Sequence, residues 1–560
     1  MSPPGLAEST SRGEAVPIRA VLLEGDAAQR GAALRALATR DEARAAMPFY
    51  TGFLGRSIRA HRPRTPRLLL DLIDGLSSLL LERIARRQDG EIRAALAALA
   101  AGETRAFGRE IRRVHAVMDL LQLLVGRVPG IGRLAATPPS ACSTFIALGE
   151  ATLDGRLLHG RNFDLPASDV VSTAPLVTVH RPAHGLAHVS LFHRPAFVPG
   201  VTTINERGLG ISIHTHFTRD AGWSGTPILS IARALAETAG GVSEAIDLLR
   251  RLPPICGWSF YLSDPTARRA AAVERGRTGM AVREAERGML WGVNRFLDET
   301  LARREVIPSS AFANHNEGRR RRLAALAGAG HGRLDAPRLA AILGDGHDPA
   351  AGAAHGLGGA ICAPYNVLSV IYAFEADRLY VGRGGVPAST GPYDGLVLSR
   401  LLERGEIEVA ETLMPALDDA ACAARRALAR AAAIWSARAD RTTALSALDE
   451  AVARTPGDGS LRIARAATRL PVDPEGAARD VAEAARLPAG PFEDAQRNLI
   501  GGFAADLLGR RDDALAAYRL AEAGVVPEVT RAARRALRRP VRCRQVARIG
   551  PDLYYGGLSL

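Results

Sequence analysis

The sequence contains no lysine. All 72 basic side chains are arginines, set against 59 acids for a formal charge of +13. They are scattered among the acids, and this uniform choice of arginine reads as a compositional bias of the coding sequence, not as a nucleic-acid-binding design. The densest run, Arg319 to Arg322, lies in a helical stretch, where a solvated helix face is the expected reading ahead of an anion patch. Cysteine is scarce as well. The five cysteines (142, 256, 362, 422 and 543) are odd in number and widely spaced, without a CxxC pair or a histidine cluster at ligand spacing, which argues against a disulfide framework or a structural zinc site. No stretch reaches about 18 uncharged apolar residues, so no transmembrane helix is expected. The nearest approach, Leu68 to Ile84, carries Asp71, Asp74, Glu82 and Arg83. Its Leu69, Ile73, Leu76, Leu80 and Ile84 recur at the spacing of an amphipathic helix laid on a core. The polar segment Met1 to Arg19 lacks the apolar run of a signal peptide, so a cytoplasmic protein is expected.

What is present is ordinary globular material. With 47% apolar and 23% charged residues, a chain of 560 residues has enough apolar surface to exclude general disorder and to fill two to four domains of about 150 residues. Three textures succeed one another. Residues 1 to 141 are rich in Ala, Arg and Leu, read as helices, and end in the breaker cluster Thr137, Pro138, Pro139, Ser140. Residues 142 to 405 hold short β-branched or alternating runs, among them Ser143 to Leu148, Leu176 to His180, Thr202 to Ile204, Ile211 to His214, Ser259 to Leu262 and Val367 to Ala373. These are interleaved with helical patterns near 226 to 251 and 319 to 343, an α+β domain. From 406 to 545 helix formers dominate again, with 546 to 560 as a tail. Self-similar segments begin at Ala444, Ala477 and Ala514, steps of 33 and 37 residues, which resembles a degenerate tetratricopeptide array; a bundle without true repeats fits nearly as well.

Chemistry concentrates where the first texture ends. Cys142 opens a strand directly after the proline-rich cluster, the arrangement expected if the Ala141–Cys142 bond is exposed and cut. Most single cysteines are inert buried hydrophobes, so position alone decides little. The next residues, CSTFIALGEATLDGRLLHGRNFD (142 to 164), change the weighing. Together with PGVTTINERGLGISI (199 to 213), SFYLSD (259 to 264), GMLWGVNRF (288 to 296), SSAFANHNEGRRRRLAAL and LYVGRGGVP (379 to 387), they resemble, in family order, the N-terminal nucleophile hydrolases of the isopenicillin N acyltransferase and choloylglycine hydrolase type, to which acid ceramidase also belongs.

The resemblance implies an αββα sandwich over 142 to 405, Cys142 as nucleophile, and Arg161 and Asp164 as its supports. Asp164 would orient the α-ammonium, while Arg161 would hold Asp164 and bias the thiol towards thiolate. Asn294 in VNRF matches the family's oxyanion asparagine, although Val293 and Arg295 replace the usual Thr and His. Arg319 fits a second arginine. Asn205 matches a block that lines the site, yet is equally an ordinary turn residue. Thr215 stands where choloylglycine hydrolases place another asparagine, and Asn314 in AFANHN is a rival donor. His159 reads as structural.

The physical reason for cleavage needs no family. A thiol at neutral pH is only a few per cent thiolate and needs a base, which the α-amine of Cys142 supplies once the Ala141–Cys142 bond is cut, with a pKa of about 7.7 to 8.0. Taking Asp154 and Gly155 as a two-residue hairpin turn, positions summing to 309 should pair, which puts Asp164 opposite Phe145 and about 10 Å along the strand from Cys142. The expected activity is a self-processing amide hydrolase or acyltransferase on a non-peptide carbon–nitrogen bond of a small-molecule amide or acyl substrate, with no cofactor and no metal. A protein partner through the C-terminal helices is a further expectation; no nucleic acid is. Two rivals stand beside it: a scaffold that has lost catalysis and carries a helical binding module, and a lipid amide hydrolase of the ceramide or N-acylethanolamine type.

Overall fold

The computed structural model describes residues 17–37, 66–128, 141–165, 175–192, 199–438 and 440–560. The breaker cluster Thr137 to Ser140 lies outside the described residues.

In chain order, the strands that build the centre are β1 (Arg19–Gly25), β2 (Ala141–Ala147), β3 (Leu158–Asp164), β4 (Leu176–Pro182), β5 (His188–Phe192), β6 (Thr202–Asn205), β7 (Gly210–His216), β8 (Gly257–Asp264), β9 (Arg269–Arg275), β10 (Met280–Glu284), β11 (Met289–Gly292), β12 (His347–Asp348), β13 (Ala353–Ala354), β14 (Asn366–Ala373), β15 (Arg378–Gly382), β16 (Tyr393–Val397) and β17 (Val409–Leu413). One sheet has the order β1-β4-β5-β6-β7-β8-β9-β10 and another β11-β2-β3-β14-β15-β16-β17. The strands expected from β-branched runs are among them, and the mixture of sheets and helices is α+β.

Side-chain alternation turns the two sheets into inner layers. Val177, Val179, Val189, Leu191 and Ile204 of the first sheet share one apolar core with Cys142, Phe163, Leu368, Val370 and Val381 of the second. The outer face of the first sheet (Ile211, Ile213, Phe260, Leu262) packs on helices Ile228–Thr238 and Val242–Arg251. The outer face of the second (Phe145, Ala147, Ile371, Ala373) packs on helices Ser310–Gly330 and Ala336–Leu343. Helices therefore cover both faces of the paired sheets, the arrangement that buries every apolar surface of a two-sheet core.

The N-terminal segment departs from its all-helical expectation. β1 pairs in parallel with β4, from Arg19 opposite Leu176 to Gly25 opposite Pro182. The run RAVLLEG packs apolar residues on both faces, buried Leu23 and half-buried Val21 towards the helices and half-buried Ala20 and Leu22 towards the second sheet, so it shows no alternation from which a strand could be read. The next helix, Ala27–Leu37, carries Arg30, fully buried and bonded at 2.6 Å to the equally buried Glu237 and at 3.3 Å to half-exposed Glu91. Further on, the buried Asp119 carboxylate accepts from the backbone N–H of Ile228 at 3.2 Å, capping the helix Ile228–Thr238, which has no side-chain cap of its own. The helix Arg67–Ala85 confirms the amphipathic spacing in part: Ile73, Leu80 and Ile84 face the core as expected, whereas Leu69 and Leu76 are 45% and 56% exposed and Leu70 and Leu81 are buried in their place.

The C-terminal boundary also shifts. β17 pairs with β16 across Tyr393 and Leu413, so the second sheet runs past residue 405. Beyond it, helices Asp419–Arg438, Arg441–Arg454, Gly459–Arg469, Pro474–Ala484, Pro491–Leu507, Arg511–Glu522 and Pro527–Arg538 stack in succession, and the three self-similar segments fall on alternate members. The expected tail, 546 to 560, is a docked element. Tyr554 and Tyr555 are buried against Phe312, His315 and Tyr365 of the central domain.

Glu237→Ala leaves the buried Arg30 guanidinium with only half-exposed Glu91, and removing one partner of a buried pair is strongly destabilising. A loss of about 3 kcal/mol in the first urea unfolding transition is expected; an unchanged midpoint would contradict the docking of the N-terminal helix on the central domain.

Candidate active site

Cys142 is the second residue of β2, fully enclosed between the sheets. Its strand pairs with β3 so that positions sum to 305: Ala141 opposite Asp164, Cys142 opposite Phe163, Thr144 opposite Arg161. This corrects the expected sum of 309. Asp154 and Gly155 do turn, with Asp154 Oδ1 accepting from the Arg156 N–H at 3.0 Å and Gly155 at φ +78°, but the turn lies outside the ladder. The Leu153 N–H donates to the carbonyl of Leu334 at 2.9 Å, drawing residues 148–157 out towards the helices and shortening each strand. The shift of register brings Asp164 beside Cys142, and no bulge near Asn162 is needed.

Alternation along β2 and β3 then sorts the charged groups. Cys142, Thr144 and Arg161 face the inter-sheet layer. Arg161 is buried and its Nη2 lies 3.6 Å from Cys142 Sγ; it also donates to the carbonyls of Ile213 and Val201, each at 2.8 Å. Ser143 and Asp164 face the other way, towards the helix Ser310–Gly330. Because 161 and 164 are an odd number of residues apart, Arg161 does not hold Asp164 as expected. Asn366 does: its Nδ2 donates to Asp164 Oδ1 at 2.8 Å, while Asp164 Oδ2 stands 4.0 Å from Arg319 Nη1, buried and without a hydrogen-bond partner.

Arg319 is the centre of this second group. Its Nη1 donates to the Cys142 carbonyl at 2.5 Å and to Ser143 Oγ at 3.0 Å, and its Nη2 donates to Asn316 Oδ1 at 2.8 Å and to Asn294 Oδ1 at 3.3 Å. It is fully buried, unlike the solvated face expected of the arginine run. Arg320 and Arg321 do pair on the outside with Glu317. Asn294 comes after β11 and completes the ring. Its Oδ1 accepts from the Cys142 backbone N–H at 2.6 Å, and its Nδ2 donates to the Thr215 carbonyl at 3.1 Å and to Thr215 Oγ1 at 3.2 Å. The structure thus brings together Ala141, Cys142, Arg161, Asp164, Thr215, Asn294 and Arg319.

Two expected residues are elsewhere. Asn205 uses its amide on the β6–β7 turn, donating to the carbonyls of Ala236 and Ala239 and accepting from the N–H groups of Arg207 and Leu209. It is the ordinary turn residue of its two readings. Asn314 is half-buried on its helix, and Asn316, about 200° further round, takes its place. Asn316 Oδ1 accepts from the Asn294 backbone N–H at 3.0 Å as well as from Arg319. A helical signal for it existed, since Asn316 and Arg319 are i and i+3. Asn366, at the start of β14, had none. His159 is held between Ser263 Oγ at 2.8 Å and Ser212 Oγ at 2.9 Å, and burial pushes its imidazole down to about 3.

Burial sets the electrostatics of the cluster. Burial pushes the Cys142 thiol up to about 11, against the pull of Arg161 and Arg319, so it is neutral near pH 7. Burial also raises the Asp164 carboxyl to about 7, opposed by Arg319, Asn366 and Arg161. A carboxyl raised in the folded state stabilises the fold fully below its unfolded value, near 4, and that contribution is lost as pH rises to about 7. Asp164→Asn should therefore gain melting temperature relative to the parent chain steadily between pH 4 and 7, then hold a constant difference. A difference that does not change with pH would refute the raised carboxyl.

A comparison with known proteins covers part of this region. Residues 151–326 match the family model of acyl-coenzyme A:6-aminopenicillanic acid acyl-transferase. The matched span contains Arg161, Asp164, Asn294 and Arg319 and begins after Cys142. No curated protein matches the chain. Over residues 151–326 the chain is therefore similar to the acyltransferase-like family of N-terminal nucleophile hydrolases.

Proposed function

We propose that the chain is a self-activating thiol amidohydrolase or acyltransferase, with Cys142 as nucleophile and a small-molecule amide or acyl donor as substrate. One observation carries the reading: three groups converge on the residue that would become a chain terminus. Cys142 has its N–H on Asn294, its carbonyl on Arg319 and its sulfur beside Arg161, while the buried Asp164 Oδ2 stands nearby without a partner.

Activation proceeds from these contacts. The sulfur attacks the Ala141 carbonyl, the carbon–nitrogen bond breaks, and the thiol proton ends on the departing nitrogen of Cys142. Water then hydrolyses the Ala141 thioester, its hydroxyl going to the acyl carbon and its proton to sulfur. The freed α-amine is now the base that the buried thiol lacked, and Asp164 Oδ2 is the acceptor that orients it. In turnover the amine takes the thiol proton, sulfur attacks the substrate amide, and the same proton leaves on the amine product. Asn294 Nδ2 and Thr215, already bonded to each other, are the candidate donors for the oxyanion. Water or a second amine then removes the acyl group. This sequence needs neither an electron sink nor a Lewis acid.

A lipid amide substrate is the second reading, favoured by the stripe of Leu68, Leu72, Leu76 and Leu79 exposed on the helix Arg67–Ala85. Hydrolysis of N-acylethanolamines stimulated by anionic vesicles separates it from a water-soluble substrate. Among the described residues no helix is long and apolar enough to cross a membrane.

Denaturing electrophoresis with intact-mass spectrometry tests the main reading. The parent chain should yield fragments 1–141 and 142–560, and Cys142→Ala should remain whole. A parent chain that stays whole and resists thiol-directed acyl probes would leave the scaffold reading in place. Because β1 is laddered to β4, the two fragments should co-elute in gel filtration after cleavage.

A further inference from the structure

A second cluster of chemistry-bearing side chains lies where the central domain meets the C-terminal helices. Asp348 in β12, His355 after β13, and Glu493 in the first turn of the helix Pro491–Leu507 are all buried, and one ligand atom of each lies within 4.8 Å of the others. His355 is fully buried, and neither ring nitrogen has a hydrogen-bond partner. Its Nδ1 is 3.6 Å from Glu493 Oε1, too long for a hydrogen bond. That separation is close to the spacing, about 3.4 Å, of two ligands on one tetrahedral ion with bonds of about 2.1 Å.

The carboxylates are already oriented. Asp348 accepts from the N–H of Gly359 at 2.6 Å and of Ala350 at 2.8 Å, and Glu493 Oε2 accepts from the Gly490 N–H at 2.7 Å. Backbone bonds of this kind fix ligand direction around metal ions. Gly358, at φ +90°, closes over both; a Cβ there would stand 2.5 Å from Asp348 Oδ2 and 3.0 Å from Glu493 Oε1. Two buried carboxylates require a compensating cation. The nearby Arg425 does not supply it, since its Nη2 donates to the carbonyls of Gly346 and His355 and it makes no ion pair with either acid among the described residues.

We propose that Asp348, His355 and Glu493 bind one divalent first-row transition ion, represented by zinc, as a structural pin between the C-terminal helices and the loop that supports the active-site helix. One imidazole with two carboxylates suits zinc and its neighbours and disfavours calcium and magnesium, which take oxygen alone. The pin has a route to the active site. The His315 ring bonds to the Gly358 carbonyl at 2.6 Å, and a Cβ on Gly318 would stand 2.3 Å from the Cα of Gly359; Gly318 adjoins Arg319. The inference stands apart from the reading of Cys142 as nucleophile.

The test uses the full chain, stripped by chelator and titrated with Zn2+ against a chromophoric zinc indicator near pH 7.5. One equivalent should bind the parent chain and raise its melting temperature. Asp348→Asn and Glu493→Gln, one on each side of the junction, should bind at least tenfold more weakly and lose the thermal response. Cys142→Ala should keep both. A parent chain that binds no zinc overturns the pin. So does an equivalent that survives in Glu493→Gln and disappears in Cys142→Ala.

Discussion

The guanidinium of Arg319 is the constraint on which the site depends. A fully buried cation is tolerated when its donors are satisfied and an opposite charge is near. Here the two Nη groups find the Cys142 carbonyl, Ser143 Oγ, Asn294 Oδ1 and Asn316 Oδ1, with the Asp164 carboxyl at 4.0 Å, while Nε has no hydrogen-bond partner. Those acceptors come from β2, the segment after β11 and the turn of helix that bears Arg319 itself. Satisfying one side chain therefore fixes the position of the Cys142 backbone relative to Asn294, and with it the Cys142 N–H.

The plane of the second sheet divides the remaining charges. Arg161 lies with the sulfur between the sheets, whereas Asp164 and Arg319 lie beneath with the backbone of Cys142. A cation thus sits beside the atom where a thiolate would form, and a carboxylate sits on the side from which a freed α-amine would be reached. Had both charged residues of β3 faced the same layer, they would have neutralised one another, leaving neither for the cysteine. The alternation of a β-strand, and nothing more specialised, keeps them apart.

The segments flanking the central domain are built into it. β1 extends the first sheet, Arg30 and Asp119 make buried polar contacts with the helix Ile228–Thr238, and Tyr555 packs on His315 of the helix that carries Arg319 while Tyr554 packs on Tyr365. A chain cut before Cys142 would keep its N-terminal part by strand pairing, and changes in the C-terminal stack have a packed path to the active-site helix.

The amino-acid sequence by itself determined the α+β character of the centre, most of its early strands and the helical nature of the C-terminal part, because local alternation and spacing carry that information. It also determined the neighbourhood of Cys142, Arg161 and Asp164, because these lie within one short stretch. The register between β2 and β3 was not legible there: an Asp-Gly turn marks a bend, but a contact from Leu153 to Leu334, remote in sequence, decides how much of the chain the bend removes from the ladder. Only tertiary structure could choose Asn316 over Asn314, hand Asp164 to Asn366 in place of Arg161, and turn a Leu-rich run and a terminal tail into a strand and a buried wedge. The cluster of Asp348, His355 and Glu493 makes the same point most sharply, since no spacing rule links residues so remote in sequence, and they meet where the C-terminal helices pack on the central part.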